Sequence, residues 1–110
     1  MIGITPDSNV YISALEFGGV GARLLWMARQ GTIRIDTSEA ILVETMGVLR
    51  DKFAWEGYRL RFGQDALRKL ARVVQPTQTI AVADDRDDNR ILECAVEAGS
   101  DIIITDDNDC

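Results

Sequence analysis

The pattern that most limits the fold of this chain is the alternation of short strand-like segments with longer helix-like segments. Strand-like runs lie at residues 1–5, 32–36, 78–82 and 101–105. Apolar residues recur at helical spacing in residues 20–30, from 37 or 38 to 53, in 58–73 and from 87 or 88 to 99, and residues 10–15 begin a helical or turn-like segment. Such alternation is typical of a parallel sheet covered by helices on both faces. We therefore predict a single α/β domain over residues 1–110, a three-layer sandwich with a central parallel sheet.

Residue types that are missing restrict the chemistry. The chain has no histidine, which excludes Ser-His-Asp and Cys-His catalysis and a histidine-ligated zinc site. Its cysteines, Cys94 and Cys110, do not form a CxxC pair, and Cys94 fits a helical core position. No apolar run approaches a membrane span, and no signal-peptide pattern is visible. We expect a cytoplasmic protein without a membrane partner, whose chemistry depends on carboxylates, hydroxyls, lysine, arginine or a metal.

Charge is distributed unevenly along the chain. The net charge is −6, which by itself disfavours a nucleic-acid partner. Residues 84–110 carry −8, however, and residues 1–83 carry +2. The acidic end is either an ordinary solvated face or a cation site. The bases are either ordinary helix surface or contacts for a nucleic-acid backbone; they include Arg50, Lys52, Arg59, Arg61, Arg68, Lys69 and Arg72.

Several acids follow predicted strands, where ligands of parallel α/β sheets collect. Asp7 follows the first strand and Asp107 follows the last. Asp88 begins a helix whose core-facing positions come three, four and seven residues later, so we expect it to point inward and Asp87 to be rotated away by about 100°. Glu44 lies at the edge of an apolar helical stripe, where an unpaired charge is costly.

Each of these acids also has an ordinary structural explanation. Asp7 and Asp88 fit capping positions, and Asp107 and Asp109 fit turns. Glu44 could pair with an arginine such as Arg23 or Arg72. If the acids converge on one sheet edge, they repel unless a cation lies between them, and Mg²⁺ or Mn²⁺ is the oxygen-preferring choice. Such a metal can lower the pKa of water and neutralise a phosphodiester without histidine.

These motifs, taken in order, resemble the PIN-domain family over nearly the whole chain. Residues 4–15 (ITPDSNVYISAL) resemble the family's opening strand and Asp-Thr-Asn-Val run, with Ser8 in place of threonine. Residues 38–44 (SEAILVE) resemble its second-acid helix, and residues 84–101 resemble its third-acid segment. Residues 104–109 (ITDDND) are similar to its Thr-x-Asp-x-Asp motif. The nearest branch is similar to the VapC-type ribonucleases of bacterial toxin–antitoxin pairs.

The resemblance implies a Mg²⁺- or Mn²⁺-dependent endoribonuclease that hydrolyses phosphodiester bonds in single-stranded RNA. It assigns metal binding and catalysis to Asp7, Glu44, Asp88 and Asp107. It gives supporting roles to Asn9, Thr105 and Asp109. It also implies a homodimer and a cognate antitoxin that inserts near the acids. Family members continue past the Asp-x-Asp motif with a short helix and a strand, so the predicted domain is C-terminally short and lacks the last strand.

Three other functions compete with a ribonuclease for this sequence. A PIN-like module that binds RNA or a protein without cutting remains open. A receiver-type phosphorylation domain is disfavoured because Asp7 has no acidic neighbour and no lysine follows Lys69. An EF-hand calcium loop is disfavoured because the acidic run at residues 84–88 lacks the required glycine and distant glutamate.

Overall fold

The structure is a computed structural model that describes residues 1–106, and a parallel sheet lies at its centre. The strands of this part of the chain are β1 (Ile2–Pro6), β2 (Ile33–Ser38), β3 (Arg72–Val74) and β4 (Ile102–Ile104). Its helices are α1 (Ser8–Glu16), α2 (Gly19–Arg29), α3 (Glu39–Phe53), α4 (Gly57–Leu70) and α5 (Arg86–Ala98). The strand order is β3-β2-β1-β4 and each of these pairs is parallel. The predicted α/β class is confirmed.

The two faces of the sheet have different characters. In β2, Ile33 and Ile35 alternate with Arg34 and Asp36, so the two pairs lie on opposite faces. The isoleucines belong to the main core, against which the leucines of α2 pack. On the other face, the guanidinium of Arg34 donates a hydrogen bond to the carbonyl of Ala98, at the end of α5. Helices thus cover both faces, and the predicted three-layer arrangement is confirmed.

Side-chain caps fix where three of the helices begin. The carboxylate of Asp7 accepts from the Val10 amide at 3.0 Å at the start of α1. The hydroxyl of Ser38 accepts from the Ile41 amide at 3.4 Å at the start of α3. Asp85 caps α5, so this helix begins before the predicted residues 87 or 88. It ends at Gly99, whose φ of 66° is the left-handed conformation that favours glycine.

One predicted strand is wrong and one strand was missed. Residues 78–82 form no strand, and in the middle of this segment the backbone of Ile80 pairs with α5 side chains instead: Glu93 accepts from the Ile80 amide at 2.7 Å, and Arg90 donates to the Ile80 carbonyl at 3.2 Å. The third strand is β3, and its first two residues, 72 and 73, fall within the helix that the apolar spacing predicts. That helix stops at Leu70, and β3 pairs with the second half of β2.

Strand β4 forms one edge of the described sheet, and the side chains of Ile102 and Ile103 there are exposed. Asp107 and Asp109 follow this strand and lie outside the described residues. Within residues 1–106, no helix is both long enough and apolar enough to cross a bilayer.

Candidate active site

Asp7 lies at the carboxyl end of β1, where the central strands of the sheet meet the helices. Its side chain is 7% exposed. Besides capping α1, its carboxylate oxygens each lie 3.4 Å from the Asp106 amide, and its own amide donates to the Ile104 carbonyl at 2.9 Å. Burial raises the pKa of Asp7; the amides of Val10 and Asp106 oppose the rise, and the charges of Asp106 and Asp88 add to it. The capping role and the site role therefore fall on one carboxylate.

Glu44 is partly buried in α3 and lies between α1 and α5. Its pKa rises to about 7, chiefly because burial disfavours the charged carboxylate and next because its carboxyl group meets that of Asp87. A hydrogen bond with Ser8 opposes the rise, and the charge of Asp85 adds to it. Within residues 1–106 Glu44 forms no ion pair, so neither Arg23 nor Arg72 neutralises it.

The first turn of α5 differs from the prediction. Asp88 is exposed rather than directed into the core, although its charge is close enough to act on Asp7. Asp87 was expected to be rotated away, yet its carboxyl group is the one that meets Glu44. The helix begins at Arg86, earlier than the core spacing indicated, because Asp85 caps it. Both acids of this turn act on the site, Asp88 through its charge on Asp7 and Asp87 through its contact with Glu44.

Asn89 is a structural residue of the site that the sequence analysis missed. It is buried, accepts from the Ala83 amide at 2.8 Å and donates to the Ala83 carbonyl at 3.0 Å. These two bonds join Ala83 to the first turn of α5 and so hold the acidic segment of residues 84–88 in place. The sequence could have indicated this role, because an asparagine between an acidic turn and an apolar helical stripe is well placed to hydrogen-bond the loop backbone.

The predicted supporting residues lie near the acids but are not joined to them. Asn9 is exposed in the first turn of α1, and Thr105 is exposed directly after β4. In the described part of the chain, neither side chain hydrogen-bonds to Asp7 or Glu44. Their orienting roles stay predictions, as do the roles of Asp107 and Asp109.

The donor set fits a hard cation in chemical type, since every side chain gathered here offers oxygen. The described acids nevertheless form two neighbouring groups, one around Asp7 and one around Glu44. No three acidic, histidine or cysteine side chains within residues 1–106 come close enough together to hold a metal ion by themselves. A complete coordination shell therefore needs a contribution beyond the described groups as they stand, from the rest of the acidic end, water or a substrate phosphate.

Comparison with known protein families identifies the family of this chain. The family model of the PIN domain matches residues 5–109, and the chain belongs to the PIN-domain family. The resemblance seen in the ordered acidic motifs is thereby confirmed. PIN domains are usually nucleases, and such nucleases typically use divalent metal ions. None of the curated proteins compared with the chain matches it.

Proposed function

We propose that this chain is a Mg²⁺- or Mn²⁺-dependent endoribonuclease that hydrolyses phosphodiester bonds in single-stranded RNA. The observation that carries the proposal is a group of carboxylates that no base neutralises. Asp7 and Glu44 are buried or half-buried, and their pKa values are raised partly by neighbouring acids. Within residues 1–106, no lysine or arginine forms an ion pair with either of them or with Asp85, Asp87, Asp88 or Asp106.

Such a cluster costs stability, and function is the usual reason for a fold to retain it. We assign metal binding to Asp7, Glu44, Asp88 and Asp107, and we add Asp87 because of its contact with Glu44. A bound divalent ion would activate water and offset charge on the phosphodiester. The protein's own part is to hold the carboxylates: the α1 amides fix Asp7, Ser8 orients Glu44, and Asn89 anchors the acidic loop.

A cleavage assay on end-labelled single-stranded RNA tests this function. Wild-type protein should cut with Mn²⁺ or Mg²⁺ and stop when EDTA is added. Asp7→Asn keeps the size of the side chain but loses the charge, and it should lower the rate by at least about a hundredfold, more than the usual loss for a residue that only supports a metal ligand. Asp51→Asn is the matched control, because Asp51 is an exposed acid paired with Arg50. Equal cleavage by Asp7→Asn and wild type would rule the site out.

The biological setting we propose is that of a toxin in a toxin–antitoxin pair. The chain would act in the cytoplasm as a homodimer, and a cognate antitoxin would insert near the acids. Induced expression of the wild type should slow growth of a bacterial host, and Asp7→Asn should not. Light scattering of the purified protein measures its oligomeric state independently of activity. Equal growth of both strains, with both proteins soluble, would argue against a toxin.

A second candidate is a PIN-like module that binds RNA or a protein without cutting. It is favoured by the absence of a three-ligand cluster within residues 1–106. In that case RNA would bind and remain intact at every Mn²⁺ concentration, and Asp7→Asn would bind it as wild type does. Cleavage that needs both the metal and Asp7 excludes this alternative.

A further inference from the structure

Helix α4 presents an unusual combination of side chains to solvent. Tyr58 and Phe62 are 66% and 78% exposed, and because they are four residues apart they lie side by side on the helix. The opposite side of α4 packs inward through Gly63 and Leu67. A β-carbon at Gly63 would lie 3.3 Å from the Trp55 ring, so this side of the helix is fixed closely against its neighbours. The two aromatic rings therefore face outward on a firmly packed helix.

Basic residues accompany these aromatics. Helix α4 carries Arg59, Arg61, Arg68 and Lys69 against one acid, Asp65, which gives it a charge of +3. Arg68 is engaged by Glu39. Among the described residues, the other three bases form no ion pair. The exposed side of the helix thus keeps positive charge that the rest of the described chain does not neutralise.

Arg59 is held in place by a stack of side chains. Its guanidinium lies 3.9 Å from the centre of the Trp55 ring. The indole of Trp55 is only 6% exposed and donates a hydrogen bond of 2.6 Å to Glu16, at the end of α1. This support limits the rotamers of Arg59 while its N–H groups stay accessible, since the residue is exposed. A pre-oriented guanidinium loses less entropy when it binds an anion.

The site and this surface are connected by rigid elements. Helix α1 begins beside Asp7 and ends at Glu16, which contacts Trp55. Helix α1 has nine residues, so at about 1.5 Å per residue Glu16 lies roughly 14 Å from Asp7 along the helix axis, and the Trp55–Arg59 stack begins there. A single strand a few nucleotides long can span such a distance. A strand held at one end of α1 can therefore reach the acids at the other.

Exposed aromatics interleaved with arginines are the combination that binds single-stranded nucleic acid, through base stacking and phosphate contacts. A second copy of the chain could also cover exposed aromatics. Symmetric packing of α4 on itself would, however, set like charges against each other, since a net charge of +2 remains on each helix after the Arg68–Glu39 pair is discounted, and like charges across an interface are unfavourable. The charge of the surface favours a polyanion over a second copy.

We propose that the first half of α4 is the surface that holds the RNA strand about one length of α1 away from the cleavage site. Tyr58 and Phe62 stack on unpaired bases, and Arg59 and Arg61 contact the phosphates. This inference rests on the proposed ribonuclease function, and it adds the residues that select single-stranded over duplex RNA, because paired bases cannot stack on side chains.

Fluorescence anisotropy tests the proposal with a short fluorescein-labelled single-stranded RNA, in EDTA so that cleavage cannot occur. The double variant Tyr58→Ala/Phe62→Ala should bind about tenfold more weakly or worse. Arg59→Ala should weaken binding and reduce the salt dependence, by about 0.7 in the log–log slope for each lost phosphate contact. Trp26→Ala, an aromatic 61% exposed on α2, and Arg29→Ala, an exposed arginine on the same helix, are the matched controls and should bind as wild type does.

Further outcomes separate this proposal from the function on which it rests. Affinity for the matched duplex should change little in the double variant, and thermal melting should show that all variants are folded. The surface assignment is overturned if wild type cuts RNA but the double variant binds the single strand normally, or if wild type binds none in EDTA. It is also overturned if the double variant loses only self-association, measured by light scattering. If the wild type shows neither RNA binding nor metal-dependent cleavage, the proposed ribonuclease function is contradicted as well.

Discussion

Asp36, on one side, and Asp7 with Glu44, on the other, are inward-facing acids with opposite electrostatic surroundings. Asp36, in the middle of β2, is fully buried and surrounded by basic and hydroxyl groups. Asp7 and Glu44, at the carboxyl edge of the sheet, are buried or half-buried beside other acids. Burial pushes the pKa upward at all three residues, so the sign of the final shift depends on the neighbours.

The neighbours of Asp36 explain its behaviour. Its carboxylate accepts from Arg34 at 2.8 Å, from Arg72 at 3.2 Å and from the Ser100 hydroxyl at 2.6 Å. These hydrogen bonds and charges outweigh burial, and the pKa of Asp36 falls below its ordinary value. Both arginines also donate to the Ala98 carbonyl at the end of α5. Asp36 thus joins β2, β3 and α5, which is a structural task.

Gly3 in β1 leaves the room that this network needs. A β-carbon there would lie 2.1 Å from an Arg34 guanidinium nitrogen. The contrast between the two groups teaches that burial of an acid does not reveal its role. An acid that bases neutralise stabilises the fold, whereas acids that lie beside one another without a base keep the capacity to bind a cation.

The largest expected change in stability comes from replacing Asp36, the acid that the arginines neutralise. Asp36→Asn should lower the free energy of unfolding by about 3 kcal/mol, the lower end of the range for breaking a buried pair, because both arginines keep partial access to water. Urea unfolding measures this. Asp51→Asn, which removes an exposed acid paired with Arg50, should leave the midpoint unchanged. An Asp36→Asn variant as stable as wild type would remove the structural half of the comparison.

An intermediate effect is expected from metal binding at the other group. Mn²⁺ at about a hundredfold excess over its Kd should stabilise wild type by about 2.7 kcal/mol, because only the folded state brings the acids together. Differential scanning fluorimetry follows this as a rise in Tm. Asp7→Asn should respond much less, while Asp51→Asn should respond fully. Equal responses of all three proteins would mean that Mn²⁺ binds elsewhere.

The smallest effect is a pH dependence that Glu44 imposes on the metal-free protein. Its pKa of about 7 in the folded state lies above the ordinary value of 4.5, so the unfolded chain loses this proton first as pH rises. Stability should therefore fall between pH 4.5 and 7 and stay low above that range. Glu44→Gln should match wild type at the acidic end and exceed it by about 1–2 kcal/mol above pH 7, roughly half of what the full pKa difference would give, because Glu44 is half-buried and solvent screens its interactions.

Chemical denaturation at several pH values, compared between wild type and Glu44→Gln, isolates this contribution from that of the other acids. Asp36 has the opposite sign: its lowered pKa stabilises the fold above the ordinary value of 3.8, and that contribution is lost as pH falls further. Parallel pH profiles for wild type and Glu44→Gln between pH 4.5 and 7 would show that Glu44 is not the group responsible.

The position of Asp7 was predictable from the sequence because strand ends can be read locally, and Asp7 directly follows an apolar strand. Periodicity placed Glu44 only at the edge of an apolar helical stripe, and its assignment to the site came from the family resemblance. The roles of Asp87 and Asp88 could not be assigned in this way. Their directions depend on where α5 begins, and the Asp85 cap determines that position.

The alternation of elements, the α/β class and the clustering of acids toward the end of the chain all follow from the order of the residues. Periodicity and capping are local properties, so they can be recognised without knowing which elements pack together. Whether residues 72–74 or residues 78–82 form a strand depends instead on long-range contacts, because a short strand exists through pairing with another. The same contacts determine which acids are neutralised, since Arg34, Arg72 and Ser100 reach Asp36 only when distant elements pack together.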